Sequence, residues 1–443
     1  MKAPGVHSMN AIDTEVQEIQ VEETPPQSRP ADEWMPPNPQ RLEELDVSPA
    51  FLADLVLKAV SVEAKSTTAS VAQRLHLGVL ITEQLLQRLV QEKLIEATGL
   101  VGLYSHRYAM LDHGWAKVDR LMNQSTYVGP APVSLAAYTE TITKQVHSRT
   151  PVSKQALEQA LSGLVLSHEV KRVLMLVSSS GRSLFLSGPP GNGKTAMARA
   201  LVDALPGGLW IPYAIEVDGQ VIRVFDTHCH QPVESVARGF DRRWVYIRPP
   251  LVLVGGDLTI TDLDLTSPDT RRFYEAPFQV KANGGVLVVD DLGRQRCSAR
   301  ELLNRWIVPL EYRVDNLTLS TGKKIQVPFE ALLVFATNLT GADLEDEAFL
   351  RRMGYRLTVP PPTDEIYAEI FRRYAQYQEF SVEPRVINRL LERYQTERRT
   401  PKCCEPRDLI ERAIDLCKVQ GQPYRLTPET LDITWKSYFG VLR

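Results

Sequence analysis

The sequence predicts an α/β protein: a parallel sheet flanked by helices around a phosphate-binding loop, with a C-terminal helical lid behind it and a small helix-turn-helix domain before it. Three observations carry this reading. Residues 183–187 are an apolar strand that runs straight into a glycine-rich loop ending in Lys194-Thr195 and then into a helix. Two further apolar runs, 285–289 and 331–336, end in polar residues, as strands buried on both faces of a parallel sheet do. Beyond Pro362 the apolar residues recur at helical spacing to the end of the chain.

A length of 443 residues allows two or three domains, enough for a large buried core. Hydrophobic residues at 43% and charged residues at 24% exclude a collagen-like, fibrous or wholly disordered chain. No apolar run approaches the ~18 residues of a membrane span, and the N-terminus lacks a basic start followed by an apolar core. Membrane insertion and export are therefore not expected, and a cytoplasmic location is. The five cysteines, Cys229, Cys297, Cys403, Cys404 and Cys417, have no C-x-x-C spacing, so neither a disulfide framework nor a zinc ribbon is expected.

In chain order, residues 1–45 hold seven prolines and few aliphatics, which predicts a disordered acidic tail or a segment that folds on a partner. Residues 1–46 carry ten acidic against three basic side chains, leaving 48 basic and 44 acidic in the remainder. That mild excess does not by itself predict a nucleic-acid field. Residues 46–125 form the first domain. A helix starts at Ser48, a second covers 67–75 and a third 81–95, with Leu85, Leu86, Leu89, Val90 and Leu94 on one stripe; a strand pair within 103–110 and a helix over 114–122 follow. This order resembles a winged helix-turn-helix module. Its third helix offers Glu83, Gln84, Gln87, Arg88, Gln91, Glu92 and Lys93, a nearly neutral set that suits protein docking better than a DNA groove. Residues 126–150, with Gly129-Pro130-Ala131-Pro132, read as a connector into the α/β domain of 151–362.

The loop Gly188-Pro189-Pro190-Gly191-Asn192-Gly193-Lys194-Thr195 fits G-x-x-x-x-G-K-[ST] in its strand–loop–helix setting. Glycines let the backbone N–H groups turn toward phosphates, and the helix N-terminus adds its positive dipole end. Lys194 is the candidate for the β- and γ-phosphates of ATP, and the Thr195 hydroxyl for Mg2+. The second strand, 285–289, ends in Asp290-Asp291, a Walker B arrangement in which Asp290 joins Thr195 at the metal and Asp291 orients the attacking water. The third, 331–336, ends in Thr337-Asn338, where an amide beyond the strand end reaches a γ-phosphate. Residues 317–327 alternate about Gly322 and predict a hairpin whose tip lysines, Lys323 and Lys324, face a pore, a partner or solvent.

Taken in order, residues 188–195, Asp290-Asp291, Asn338, the run Asp346-Glu347-Ala348-Phe349-Leu350-Arg351-Arg352 and Glu405-Pro406-Arg407-Asp408-Leu409 resemble the AAA+ ATPase superfamily from about Pro151 onward. The hairpin before Asn338 is similar to the pre-sensor-1 insertion of the branch with MoxR-like, ClpX-like and RuvB-like members. The resemblance implies ATP hydrolysis, a ring-shaped homo-oligomer, a hexamer, and a protein client recruited by the N-terminal module, with nucleic acid as the alternative partner and a slow nucleotide-dependent scaffold as the alternative role. It implies Arg352, with Arg351 second, as the arginine finger, and Arg407 as the sensor 2 arginine of a helical lid at 363–443 whose helices fall at 364–378, 382–396, 405–419 and 428–438. The usual second carboxylate there is Glu; here it is Asp291, one methylene shorter.

The stretch between the loop helix and Asp290 contains a hairpin about Asp218-Gly219. It also holds His228, Cys229 and His230, read as loop residues rather than as metal ligands lacking a fourth partner. Arg238, Arg242, Arg243 and Arg248, interleaved with Trp244 and Tyr246, suit either nucleic acid or a subunit contact.

Overall fold

The computed structural model describes residues 34–101, 106–233, 239–267, 272–339 and 347–440. Packing begins earlier than the proline content suggests. The Pro36 carbonyl accepts from Asp241 N, Pro37 bridges to Phe240, and Leu45 and Val47 are buried in the first core. Residues 34–45 are thus part of the folded body rather than of a tail.

Helix α1 (Pro49–Val62) starts at Ser48, whose hydroxyl accepts from Phe51 N, and buries Leu52, Leu55, Val56, Ala59 and Val60. Strand β1 (Ser66–Thr67), α2 (Thr68–Leu75) and α3 (Val79–Gln91) follow. Residues 92–95 do not continue α3: Lys93 takes a positive φ of 54° and turns the chain into β2 (Ile95–Leu100), which pairs with β3 (His106–Met110). The predicted strand pair therefore begins eight residues earlier, and its 103–105 portion lies outside the described residues. The small antiparallel sheet has the order β1-β3-β2, and α4 (Asp112–Gln124) closes the module.

The expected connector is largely structured. Strand β4 (Val133–Ser134) enters a sheet, and α5 (Leu135–His147), capped by Ser134, buries Tyr138 and Ile142. Helices α6 (Lys154–Ala160) and α7 (His168–Ser180) lead to β5 (Leu184–Ser187) and α8 (Lys194–Asp203). The insertion supplies β6 (Leu209–Pro212), β7 (Ala214–Val217), β8 (Gln220–Arg223) and β9 (Trp244–Ile247). The β7–β8 hairpin turns on Asp218 and Gly219 at φ 50° and 78°, as Asp-Gly predicts. The chain continues through β10 (Leu251–Val254), β11 (Tyr274–Glu275), α9 (Phe278–Lys281), β12 (Val286–Val289), α10 (Ala299–Arg305) and α11 (Ile307–Tyr312). Next come β13 (Val314–Thr318), β14 (Lys324–Pro328), β15 (Leu332–Thr337), α12 (Glu347–Arg352) and β16 (Tyr355–Thr358).

Strands β10-β12-β15-β5-β16 form a parallel five-stranded sheet. Alternate residues face two cores, as period-two geometry requires. Leu184, Leu186, Val286, Val288 and Val334 pack on α7 and α8, while Phe185, Leu287, Val289, Leu333 and Phe335 pack on Leu302, Leu303, Trp306 and Phe349. The hairpin β13–β14 is as predicted, but it does not stand clear: Leu317, Ile325 and Val327 share a core with α5 and the insertion, and Lys323 pairs with Asp218.

The C-terminal unit comprises α13 (Asp364–Tyr377), β17 (Ser381–Val382), α14 (Pro384–Thr396), α15 (Glu405–Gln420), β18 (Arg425–Leu426) and α16 (Pro428–Phe439). Its own core centres on Tyr367, Phe371, Leu390, Tyr394, Leu409, Ile410 and Trp435. Thr427 caps α16 with Pro428 in the first turn, as the sequence predicts.

Candidate nucleotide site

The candidate site lies beyond the carboxyl ends of β5, β12 and β15, which are neighbours in the sheet. Sequentially distant residues meet there because parallel strands all end on one edge. The loop after β5 needs its glycines. Gly188, Gly191 and Gly193 take φ of 138°, 84° and 81°, and a Cβ on Gly188 would fall 2.3 Å from the Val359 carbonyl oxygen. Pro189, Pro190 and Gly191 are exposed, whereas the Asn192 and Lys194 side chains are turned in.

Lys194 is the first residue of α8 and is 7% exposed. Its Nζ donates to the carbonyls of Gly188 (2.8 Å) and Pro189 (3.0 Å) and to Asn338 Oδ1 (2.8 Å). Burial pushes the ammonium below its ordinary range, against the pull of Asp290 and Asp291 in the other direction. The other end of the Asn338 amide donates to Asp291 Oδ1 at 3.2 Å, so one side chain links the lysine to the second carboxylate. Thr195 Oγ1 donates to Asp290 Oδ2 at 2.6 Å, and Asp290 Oδ1 accepts from Asp291 N at 2.9 Å. A hydroxyl and a carboxylate side by side, with a second carboxylate next in sequence, are the hard oxygen donors a magnesium ion takes.

Seven of the predicted residues are thereby connected through the loop backbone and side chains: Gly188, Pro189, Lys194, Thr195, Asp290, Asp291 and Asn338, the last bridging Lys194 to Asp291. The arginines lie outside this set of bonds. Arg351 and Arg352 end α12, where Arg352 Nε donates to Glu311 Oε2 on α11 at 3.3 Å. Arg407 is exposed on the first turn of α15 and pairs with Asp408 at 3.0 Å. Asp346 lies outside the described residues.

Sequence reasoning missed how the C-terminal unit meets the loop. Cys404 N donates to the Gly191 carbonyl (2.9 Å), Cys403 N donates to Asn192 Oδ1 (3.3 Å), and the Cys404 thiol lies 2.6 Å from where a Gly191 Cβ would stand. Burial pushes the Cys403 thiol up to about 11, away from thiolate reactivity. Gln295, in the turn after Asp291, was also missed; nothing in a lone glutamine six residues past a strand marks it.

The remaining motifs resolve into structure. Arg243 is buried, its fork on Asp241 (2.8 Å) and its other arm on Asp46 (2.8 Å), so it is an internal clamp rather than a contact for nucleic acid or a subunit. Trp244 is also buried, Arg242 and Arg248 are exposed, and Arg238 lies outside the described residues. Both ring nitrogens of His230 are engaged, by Asp226 N and the Lys281 carbonyl, while His228 bonds Asp226. Among the described residues no group of three or more His, Cys, Asp or Glu is placed to hold a metal, and no helix is long and apolar enough to cross a membrane.

A family described as a domain of unknown function (DUF8689) matches residues 363–437, the C-terminal helical unit. No curated protein matches the chain. Among solved structures, a single-substitution variant of Thermotoga maritima RuvB is 16% identical with a TM-score of 0.36, covering 66% of this chain and 74% of that one. The T. maritima RuvB Holliday junction branch migration motor is 18% identical at TM-score 0.34, covering 69% and 71%. NtrX from Brucella abortus is 13% identical at TM-score 0.39, covering 72% and 62%.

Proposed function

We propose that this chain is an ATP hydrolase of the AAA+ class, dependent on magnesium, that assembles into a hexameric ring and remodels a protein partner in the cytoplasm. One observation carries the reading: Lys194, Asn338 and Asp291 form a continuous hydrogen-bonded chain beside the Thr195–Asp290 pair, all at the ends of three adjacent parallel strands. In this reading the backbone of residues 188–193 cradles the phosphates and Lys194 holds the β- and γ-phosphates. Thr195 and Asp290 hold the magnesium ion, which neutralises charge developing on the phosphate oxygens. Asp291 orients the attacking water, and Asn338 senses the γ-phosphate. Arg352, with Arg351 beside it, supplies positive charge to a neighbouring protomer's site, and Arg407 does so from the helical lid.

The N-terminal module is the recruiting element. Its α3 exposes Leu80 (72%) and Val79 ahead of the nearly neutral Gln84, Gln87, Arg88 and Gln91, an apolar and weakly charged face that favours protein over phosphate. Glu83 is turned inward onto Tyr108 and Thr68. The deciding experiment is magnesium-dependent ATP hydrolysis and sedimentation of wild type, Lys194→Ala and Arg352→Ala. Hydrolysis lost in the first variant, and lost with the ring intact in the second, is the expected result; hydrolysis unaffected by Lys194→Ala would sink the reading. A DNA-bound ATPase is the second reading, favoured by the helix–strand–helix–helix–strand–strand order of residues 49–110. DNA affinity falling steeply with salt would support it, and no binding at low salt would remove it.

A further inference from the structure

We infer that Gln295 is a positioning residue that holds Asp291 in its working orientation; this rests on the ATPase reading above. Asp291 has a positive φ of 50°, in the left-handed region where a non-glycine residue is uncommon. Such a conformation is unfavourable and persists only when its surroundings over-determine it. The surroundings are on three sides. Asp291 N donates to Asp290 Oδ1, Leu292 N to the Ala336 carbonyl, and Arg294 N to Asp291's own carbonyl, each at 2.9 Å. The fourth element is a side chain. Gln295 Nε2 donates to the carbonyls of Asp290 (2.8 Å) and Asp291 (3.2 Å), while its Oε1 accepts from Gly293 N (2.8 Å).

That bonding fixes which way the amide lies, because two partners only accept and the third only donates. One half-buried amide therefore spans the turn from Asp290 to Gly293 and sets the direction in which the Asp291 carboxylate leaves the strand. The carboxylate then meets Asn338 Nδ2. Among the four restraints, Gln295 alone can be removed without altering the carboxylates or the sheet. Its side chain reaches Asp290 and Asp291 only at their backbone carbonyls and bonds neither the phosphate loop nor the Asp290 carboxylate, so its effect passes through the backbone that aims the Asp291 side chain.

The test is steady-state ATP hydrolysis with magnesium, alongside binding of a fluorescent ATP analogue, for wild type, Gln295→Ala and Gln295→Glu. Gln295→Ala should lower kcat about tenfold with analogue affinity within twofold, a split that a general loss of structure would not produce. Gln295→Glu keeps the shape but sets a carboxylate against two carbonyls. An ionised carboxylate cannot donate to them, so kcat should fall at least as far as in Gln295→Ala. Adding Gln295→Ala to Asp291→Asn should lower the residual rate no further. Wild-type kcat in Gln295→Ala, or equal losses of kcat and affinity, overturns the inference while leaving the ATPase reading intact. Absence of hydrolysis by the wild type itself overturns that reading and this inference with it.

Discussion

Replacing Asp291 with Asn removes one charge and almost nothing else. Asn tolerates the left-handed region at least as well as Asp, so the φ of 50° adds no new strain. Its carbonyl oxygen can take the place of Oδ1 and accept from Asn338 Nδ2, preserving the 3.2 Å contact. The Thr195–Asp290 pair and the bonds of Lys194 are untouched. Stability should therefore stay within about 0.5 kcal/mol of wild type, the range of substitutions that disturb no buried feature. The transition state loses more. A positioned group whose loss costs at least ~1.4 kcal/mol lowers the rate at least tenfold. The assay pairs ATP turnover with binding of a fluorescent ATP analogue, and the expected outcome is near wild-type affinity with turnover down by that factor or more. Wild-type turnover would refute the role of Asp291 and send the search for the water-orienting group back to Asp290 or beyond the second strand.

Three further outcomes follow from the geometry. Gly191→Ala forces a residue with φ 84° to carry a Cβ 2.6 Å from the Cys404 sulfur, so the loop is strained and that thiol must turn away; analogue affinity should fall about tenfold in the same titration. Arg243→Ala leaves Asp241 buried without its fork and should cost about 3–5 kcal/mol in urea unfolding followed by tryptophan fluorescence. The gap should narrow in acid. Burial raises the Asp46 carboxyl but Arg243 and Ser134 outweigh it and hold it low, so wild type loses that stabilisation as pH falls through the folded value. Lys58→Met should raise stability by about 1–2 kcal/mol at pH 7, net of the lost bond to the Ser125 carbonyl, because burial pushes the Lys58 ammonium down to about 8. Between pH 8 and 10.5 the unfolded chain binds the extra proton, so wild type gains stability with rising pH and the advantage shrinks.

Three of the five sheet strands, β5, β12 and β15, were legible because each is a short apolar run with a polar end, and Lys194, Thr195, Asp290, Asp291 and Asn338 sit at fixed offsets from those ends, whereas β10 and β16 lack that pattern. What was not legible is what depends on tertiary partners. Residues 34–45 look too proline-rich to fold alone, yet Pro36 and Pro37 lean on residues 240–241, some two hundred positions away. The connector reads as a linker until Tyr138 and Ile142 find the insertion's core. The end of α3 was misplaced because Leu94 and Ile95 keep the helical stripe while Lys93 has already turned left-handed, and no apolar spacing reports a backbone φ. Arg243 and Trp244 matched a surface pattern because a composition of arginines and aromatics is the same whether it faces solvent or Asp241 and Asp46.

In the proposed reading, the hydrogen bonds at the loop also set what an arriving nucleotide would have to do. Lys194 already spends its three donors on Gly188, Pro189 and Asn338, and the Thr195 hydroxyl is already given to Asp290. A γ-phosphate that recruits the ammonium must therefore exchange partners rather than fill idle donors, and the net gain is the difference between two sets of bonds, whereas the Asn338 amide keeps a second N–H for it. The exchange breaks the link through which Asn338 joins Lys194 to Asp291. In the proposed reading, seating the phosphate thus uncouples Asn338 from Lys194, and the amide, free to turn, can carry the Asp291 carboxylate with it toward the attacking water. The Gln295 amide keeps the backbone of that carboxylate fixed through the change, which is why the side chain, and not the turn, is expected to move.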